Sequence, residues 1–191
     1  TLDQIEKEYE DEMHILENRL NELAKEAMGD TPINLASPDD KSMLLYSRKV
    51  KDKGLWSMTF NLGHEMRGNT IKPKMKTRMK NTEFVRSVRR MTDIVYKTIG
   101  RQCQPCNGSG RITPLKKDGN KGKAKRICKD CIGKGIVYTS TGEVAGFKLI
   151  PRTVRDTASA GFKTDKVTLE DRLSELDGNA REFCEAYVRY N

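Results

Sequence analysis

A chain of 191 residues, 33% charged and only 36% apolar, has material for one ordinary domain or two small ones, which excludes a single large core and predicts thin elements with much wet surface. The formal charge of +9 hides an asymmetry: residues 1–30 carry ten acidic and three basic side chains, net −7, whereas residues 72–129 carry eighteen Lys or Arg against Glu83, Asp93 and Asp118, net +15. No apolar run reaches the roughly 18 residues of a membrane span, and the acidic amino terminus is unlike a signal or transit peptide, so a cytoplasmic protein without a membrane partner is expected.

Leu2, Ile5, Tyr9, Met13, Leu16, Leu20, Leu23 and Ala27 step by three or four residues, which predicts one amphipathic helix over 2–27, stopped by Gly29. Thr1 already lies inside the pattern with no cap before it, so the helix is expected to begin upstream and the chain to be a segment of a larger protein. Ser37-Pro38-Asp39-Asp40 supplies an N-cap hydroxyl, a proline at the first helical position and acids for the positive end of the dipole, predicting a short helix through Met43, Leu44 and Leu45. After Trp56 the periodicity fades, and Lys72-Pro73-Lys74-Met75-Lys76-Thr77-Arg78-Met79-Lys80 reads as a strand edge or a mobile arm.

Phe84-Val85 and Ile94-Val95-Tyr96 read as short strands leading to a first cysteine pair. Ile136-Val137-Tyr138 reads as a strand leaving a second pair and turning at Thr141-Gly142, and the strands flanking the cysteines are expected to pair with each other. Leu169, Leu173 and Leu176 predict a helix starting near Thr164 and stopping at Gly178. Asn179, with Glu182 three residues on, reads as a capping box for a last helix whose apolar face is Phe183, Cys184, Tyr187 and Val188 and which is still running at Asn191. The sum is an α+β fold, long antiparallel helices with an inserted small β-rich module.

The cysteines carry the strongest signal. Cys103-x-x-Cys106 and Cys128-x-x-Cys131 are separated by 21 residues, and each opens a Cys-x-x-Cys-x-Gly-x-Gly unit completed by Gly108 and Gly110 or by Gly133 and Gly135. Each Cys-x-x-Cys turn can present two thiolates, and two turns close a tetrahedral shell around one structural Zn2+, giving a zinc-ribbon-like module. A disulfide pair or a redox Cys-x-x-Cys are the alternatives, and spacing alone does not separate zinc from iron. Four thiolates leave no open position for chemistry, so no catalytic residue is assigned. Cys184 reads as a small buried hydrophobe, and His14 and His64 as surface residues without metal-like neighbours.

Lys116, Lys117, Lys121, Lys123, Lys125 and Arg126 fill the loop between the pairs, with Gly119 and Gly122. Lys72, Lys74, Lys76, Arg78, Lys80, Arg86, Arg89 and Arg90 precede them. Both groups are expected to contact nucleic-acid phosphates, binding by shape and with a steep salt dependence.

Two motifs flanking the cysteine segment suggest its setting. Asn34-Leu35-Ala36-Ser37-Pro38 followed by Leu44-Leu45-Tyr46 resembles a stretch in the thumb of family A DNA polymerases, and Gly161-Phe162-Lys163-Thr164 running into Val167-Thr168-Leu169-Glu170 and Leu173 resembles the motif that follows it there. Asp40, Lys41, Lys163 and Asn191 depart from the family pattern. The resemblance implies thumb-like helices at 1–60 and 157–191, with 61–156 a basic zinc-binding insertion of the kind a phage polymerase would carry in its host's cytoplasm. The cysteine unit itself is similar to the zinc repeats of J-domain co-chaperones, although only two repeats occur here.

What the resemblance implies is a segment that grips primer-template DNA and raises processivity, while nucleotide joining belongs to the remainder of the polymerase chain. Asp39 and Asp40, or Asp11 and Glu12, then read as helix-start and solvated residues, not as a two-metal site. Two other functions stay open. The module could dock a processivity factor or another replication protein, through a patch such as Trp56, Met58, Phe60 and Met66, or it could be a chaperone-like zinc module.

Overall fold

The computed structural model describes residues 1–122, 124–159 and 161–191. In chain order the elements are α1 (Leu2–Met28), α2 (Pro38–Tyr46), β1 (Arg48–Val50), α3 (Lys53–Thr59), β2 (His64–Arg67), β3 (Thr70–Pro73), α4 (Asn81–Met91), β4 (Thr92–Ile94), β5 (Tyr96–Gln102), β6 (Arg111–Ile112), β7 (Arg126–Ile127), β8 (Ile136–Val144), β9 (Thr157–Ala158), β10 (Gly161–Phe162), α5 (Lys166–Arg172) and α6 (Gly178–Tyr190). The strands form five antiparallel pairs, β1 with β4, β2 with β3, β5 with β8, β6 with β7 and β9 with β10. The fold is α+β, with the long amino-terminal helix that the periodicity predicts. No helix among the described residues is long and apolar enough to cross a membrane.

α1 and α6 run antiparallel. Arg19 Nε donates to Glu182 Oε1 at 2.6 Å, Asn179 Nδ2 to Glu26 Oε2 at 3.1 Å, and Arg189 pairs with Glu12, so positions rise along one helix as they fall along the other. Only the second half of the α1 stripe is covered: Leu20, Leu23, Ala24 and Met28 are buried, while Leu2, Ile5 and Tyr9 stay exposed. The expected capping box of α6 does not form. Asp177 takes the cap position, Gly178 turns the chain at φ 50°, and the box's two side chains are engaged by α1, Asn179 with Glu26 and Glu182 with Arg19.

α2 starts as its sequence demands, with Ser37 Oγ accepting the Asp40 amide at 3.4 Å. The expected strand at Phe84-Val85 is instead the middle of α4. Phe84, Ser87, Val88 and Met91 recur at helical spacing and are all buried, and that period overrides the β preference of a two-residue apolar run. The 64–73 stretch forms the β2–β3 hairpin, and 74–80 carries no regular structure. The expected turn at Thr141-Gly142 is a bulge inside β8, because Tyr96 still pairs with Val144 beyond it.

The main core draws on all three parts of the chain. A file of rings runs from Tyr46 through Phe162 and Trp56 to Phe60 and Phe84, with centroids 4.6–5.9 Å apart, and the Trp56 indole donates to the Ala158 carbonyl at 2.9 Å. Trp56 and Phe60 are thus core residues, not a docking patch, although Met58 and Met66 are exposed. α4 and the buried Ala145, Leu149 and Val154 join this core, so the segment built around a separate buried cluster is the one between β5 and β8.

That segment is fastened where α1 ends. Gly29 has φ 81°, its neighbour Asp30 donates its amide to the Thr98 carbonyl at 2.9 Å, and a Cβ on Gly29 would lie 2.4 Å from that same oxygen. Gly29→Ala therefore meets both a left-handed backbone and a steric block that only backbone movement can relieve. It is expected to destabilise the protein by about 2 kcal/mol or more, read as a lower urea midpoint of Trp56 fluorescence.

Candidate metal centre

β5 delivers the chain to Cys103 and β8 carries it away after Gly135, with Gln102 opposite Ile136 and Thr98 opposite Ser140. Between them the two cysteine units repeat each other's geometry. In the first, Gly108 and Ser109 donate their amides to the carbonyls of Cys103 and Cys106; in the second, Gly133 and Lys134 donate to those of Cys128 and Cys131, all at 3.0–3.2 Å. The units also interlock: the Cys103 amide reaches the Gly135 carbonyl at 2.8 Å, and the Cys128 amide the Gly110 carbonyl at 2.9 Å. The motif needs its last glycines, since a Cβ on Gly110 would sit 2.2 Å from Gly133 O and one on Gly135 2.1 Å from Gly108 O.

All four cysteines are buried and unbridged, and their sulfurs lie within 4.8 Å of one another. Cys103 Sγ is 3.7 Å from Cys128 Sγ, and Cys106 Sγ 3.7 Å from Cys131 Sγ. Four thiolates at about 2.3 Å from one ion form a tetrahedron with edges of about 3.8 Å, so the set fits a metal ion as it stands. A disulfide would need about 2.05 Å. The Gly110 amide donates to Cys106 Sγ at 3.3 Å and the Gly135 amide to Cys131 Sγ at 3.2 Å, bonds that stabilise sulfur charge. Burial pushes the Cys103 thiol up to about 12; at Cys131 burial also acts upward, but the Gly135 amide and the neighbouring sulfurs outweigh it and bring the net value below the ordinary one. Among the described residues, these cysteines are the one group of three or more His, Cys, Asp or Glu able to hold a metal.

Little buried apolar material supports the cluster: among the described residues, Ile112 is the partly buried hydrophobic packed against it. Two side chains not singled out in the sequence tighten the first unit. Ser109 Oγ donates to the Cys106 carbonyl at 2.7 Å, and Gln102 Nε2 to the Asn107 carbonyl at 2.9 Å. Their only sequence signal is adjacency to the motif. At the matching left-handed positions the units differ, with Asn107 at φ 49° and Ile132 at φ 51°, the latter β-branched and 79% exposed. Cys184 lies apart on α6, fully buried, its thiol pushed up to about 12 by burial, while His14 and His64 are exposed.

The basic residues distribute unevenly. Lys72, Lys74, Arg78, Lys80, Arg86, Arg89, Arg90, Lys116, Lys117, Lys121, Lys125 and Arg126 are all exposed, and none makes an ion pair among the described residues. Arg86, Arg89 and Arg90 share the face of α4 opposite its buried residues. Lys76 departs from expectation as a phosphate contact. It turns inward, its ammonium donating to the Arg155 carbonyl at 3.3 Å and to the Val154 and Thr157 carbonyls, and burial, with Lys163 nearby, lowers it to about 8. Lys123 lies outside the described residues.

Two outcomes are expected. Cys106→Ser, or a strong chelator, should unfold the segment between β5 and β8 while leaving Trp56 fluorescence native, because metal binding and folding of that segment are coupled. Protons compete for the same sulfurs, so metal retention should weaken as pH falls. Ile132→Asn should raise the melting stability of the metal-loaded segment by about 1 kcal/mol, since a β-branched side chain at positive φ costs roughly 1–2 kcal/mol and Asn tolerates it.

No protein-family model, curated protein or solved structure matches this chain.

Proposed function

We propose that the chain is a nucleic-acid-gripping segment of the kind found in the thumb of a family A DNA polymerase, with one structural Zn2+ holding its basic module and with nucleotide joining left to the rest of the polymerase chain. The observation that carries it is the set of twelve exposed Lys and Arg that make no ion pair among the described residues. Outside residues 72–126 Arg19, Arg67, Arg152, Arg181 and Arg189 find carboxylates, and within them Lys97 pairs with Glu143. A dense run of exposed cations that carboxylates do not neutralise is what a polyanion site requires.

The thumb resemblance gains support from where its motifs lie. Gly161 and Phe162 pack on α2, the Phe162 amide donating to Ser42 Oγ at 2.9 Å and the Tyr46 hydroxyl to the Lys163 carbonyl at 3.0 Å. Segments 115 residues apart in sequence thus form one unit, flanked by the antiparallel α1 and α6. Zn2+ suits the shell because a d10 ion imposes no geometry of its own and prefers thiolate in closed tetrahedral sites. It would supply shape and no chemistry, holding the base of a basic hairpin that the β6–β7 pair and the Leu115–Lys121 bridge continue. In this reading the phosphates of primer-template duplex lie along α4 and the 116–126 loop, in the cytoplasm of the cell or host.

The test is fluorescence anisotropy of the zinc-loaded chain with labelled primer-template, single-stranded DNA and blunt duplex over a salt series. Duplex-preferring binding that weakens steeply with salt is expected. Arg86→Ala with Arg90→Ala should flatten the log–log salt slope by about 2, at roughly 0.9 per lost phosphate contact. Failure to bind any of the three DNAs at low salt would refute the assignment.

A further inference from the structure

Away from the cysteines, α4, the β1–β4 pair and the chain that follows β8 enclose a cavity of about 310 Å3. Its floor is the buried Tyr46, Phe84, Val88 and Leu149, and its open walls are the exposed aliphatic Val85, Ile94 and Ile150. Three cations stand at the rim, Arg48, Arg89 and Lys148; no Asp or Glu lines the cavity, and among the described residues none of the three is paired with a carboxylate.

The fold spends backbone freedom on placing them. Lys148 sits at φ 57°, its amide held on Ser47 Oγ at 3.0 Å, and Ser47 itself is left-handed at φ 57°. A lysine held left-handed costs roughly 1–2 kcal/mol, and such strain collects where a side chain must point to a fixed place. Arg48 is oriented by donating Nη1 to Thr92 Oγ1 at 3.2 Å, which leaves its remaining donors available.

We propose that this cavity docks an acidic segment of a partner protein, one aliphatic or aromatic side chain of the segment entering the cavity and its flanking carboxylates meeting Arg48, Arg89 and Lys148. The charge match selects the occupant: an apolar hole rimmed by cations that make no ion pair among the described residues takes a ligand that is apolar at its centre and anionic at its edges, and arginine pairs with carboxylate in a two-pronged geometry. Nucleic acid fits less well, since exposed bases are held by stacking on aromatic faces, and here both rings lie in the floor while the open walls are aliphatic. The volume stands at the lower end of ligand cavities, roughly 300–1,000 Å3, which suits a single anchoring side chain. The inference is independent of DNA binding and shares only Arg89 with it.

The test uses the metal-loaded chain and fluorescence anisotropy with two labelled pools of short peptides, each with a fixed central leucine, flanked by Asp and Glu in one pool and by Lys and Arg in the other, beside a labelled single-stranded oligonucleotide. The acidic pool should bind at least about tenfold tighter than the basic one. Ile150→Asp should weaken the acidic pool about tenfold and spare the oligonucleotide; Ile150 is 75% exposed, so the fold should survive, and native Trp56 fluorescence checks that it has. Lys148→Glu should act in the same direction without touching any residue assigned to DNA. Equal binding of both pools, or acidic-pool binding that neither substitution weakens, would overturn the proposal. So would loss of oligonucleotide binding in place of peptide binding, which would make the cavity part of the nucleic-acid face.

Discussion

Two helix C-termini have to be closed, and one short stretch of chain closes both. α1 and α2 end side by side, leaving carbonyls that their own helices cannot satisfy. The amide of Gly146 reaches the Ala27 carbonyl at 2.9 Å, Phe147 that of Leu44 at 2.8 Å and Leu149 that of Leu45 at 2.9 Å. Val95, from the outgoing side, donates to the Ser47 carbonyl at 3.0 Å and accepts the Ala145 amide at 2.8 Å. The chain thus leaves the core and returns to it at one pair of residues, and that pair sits on the helix ends. The direction of the cysteine module, the burial of Ala145 and Leu149, and the cavity beside Lys148 all follow from this junction.

On either side of it, order comes from different sources. Below, stability is apolar: the ring file from Tyr46 to Phe84 and the α1–α6 seam remove large side chains from water. Above, the two-stranded β5–β8 ribbon and the β6–β7 pair are too small to bury much, and the partly buried Ile112 packs against the sulfurs. Structures of that size hold together through a bound ion or cross-link, and four sulfurs at tetrahedral spacing supply the means. Thr31 and Thr98, whose hydroxyls lie 2.6 Å apart, tie the ribbon to the end of α1.

Charge is divided in the same way. Acidic side chains of α1 are spent on α6, Glu12 with Arg189 and Glu26 with Asn179, while Glu182 of α6 answers Arg19. Exposed pairs of this kind contribute only about 0–1 kcal/mol each, so their main effect is to set the register of the two helices. The exposed basic residues from Lys72 to Arg126 that make no ion pair among the described residues are left to act as a field, whereas the Lys76 ammonium closes the turn at 154–157 and Lys97 pairs with Glu143.

Much of this was legible locally. The three-and-four spacing of α1, the Ser37 cap and the doubled Cys-x-x-Cys-x-Gly-x-Gly depend on neighbours within a few residues, and backbone sterics and capping act at that range, so the fold class and the four sulfurs that could hold a metal ion were legible in the sequence. What the chain does to distant parts of itself could not. Whether Phe84-Val85 is strand or helix depended on a core assembled from Trp56, Phe60 and Phe162. The α6 cap was displaced by side chains of α1, the α1 stripe was covered over only half its length, and Lys76 turned inward to carbonyls some eighty residues away. The cavity rimmed by Arg48, Arg89 and Lys148 belongs to the same class, because its walls come from three separate stretches. Local spacing determined most of the elements and which sulfurs meet; tertiary structure decided which side chains are buried and which of the long-range charges pair, since Arg19 with Glu182, Lys97 with Glu143 and Arg189 with Glu12 meet across distances that no sequence window contains.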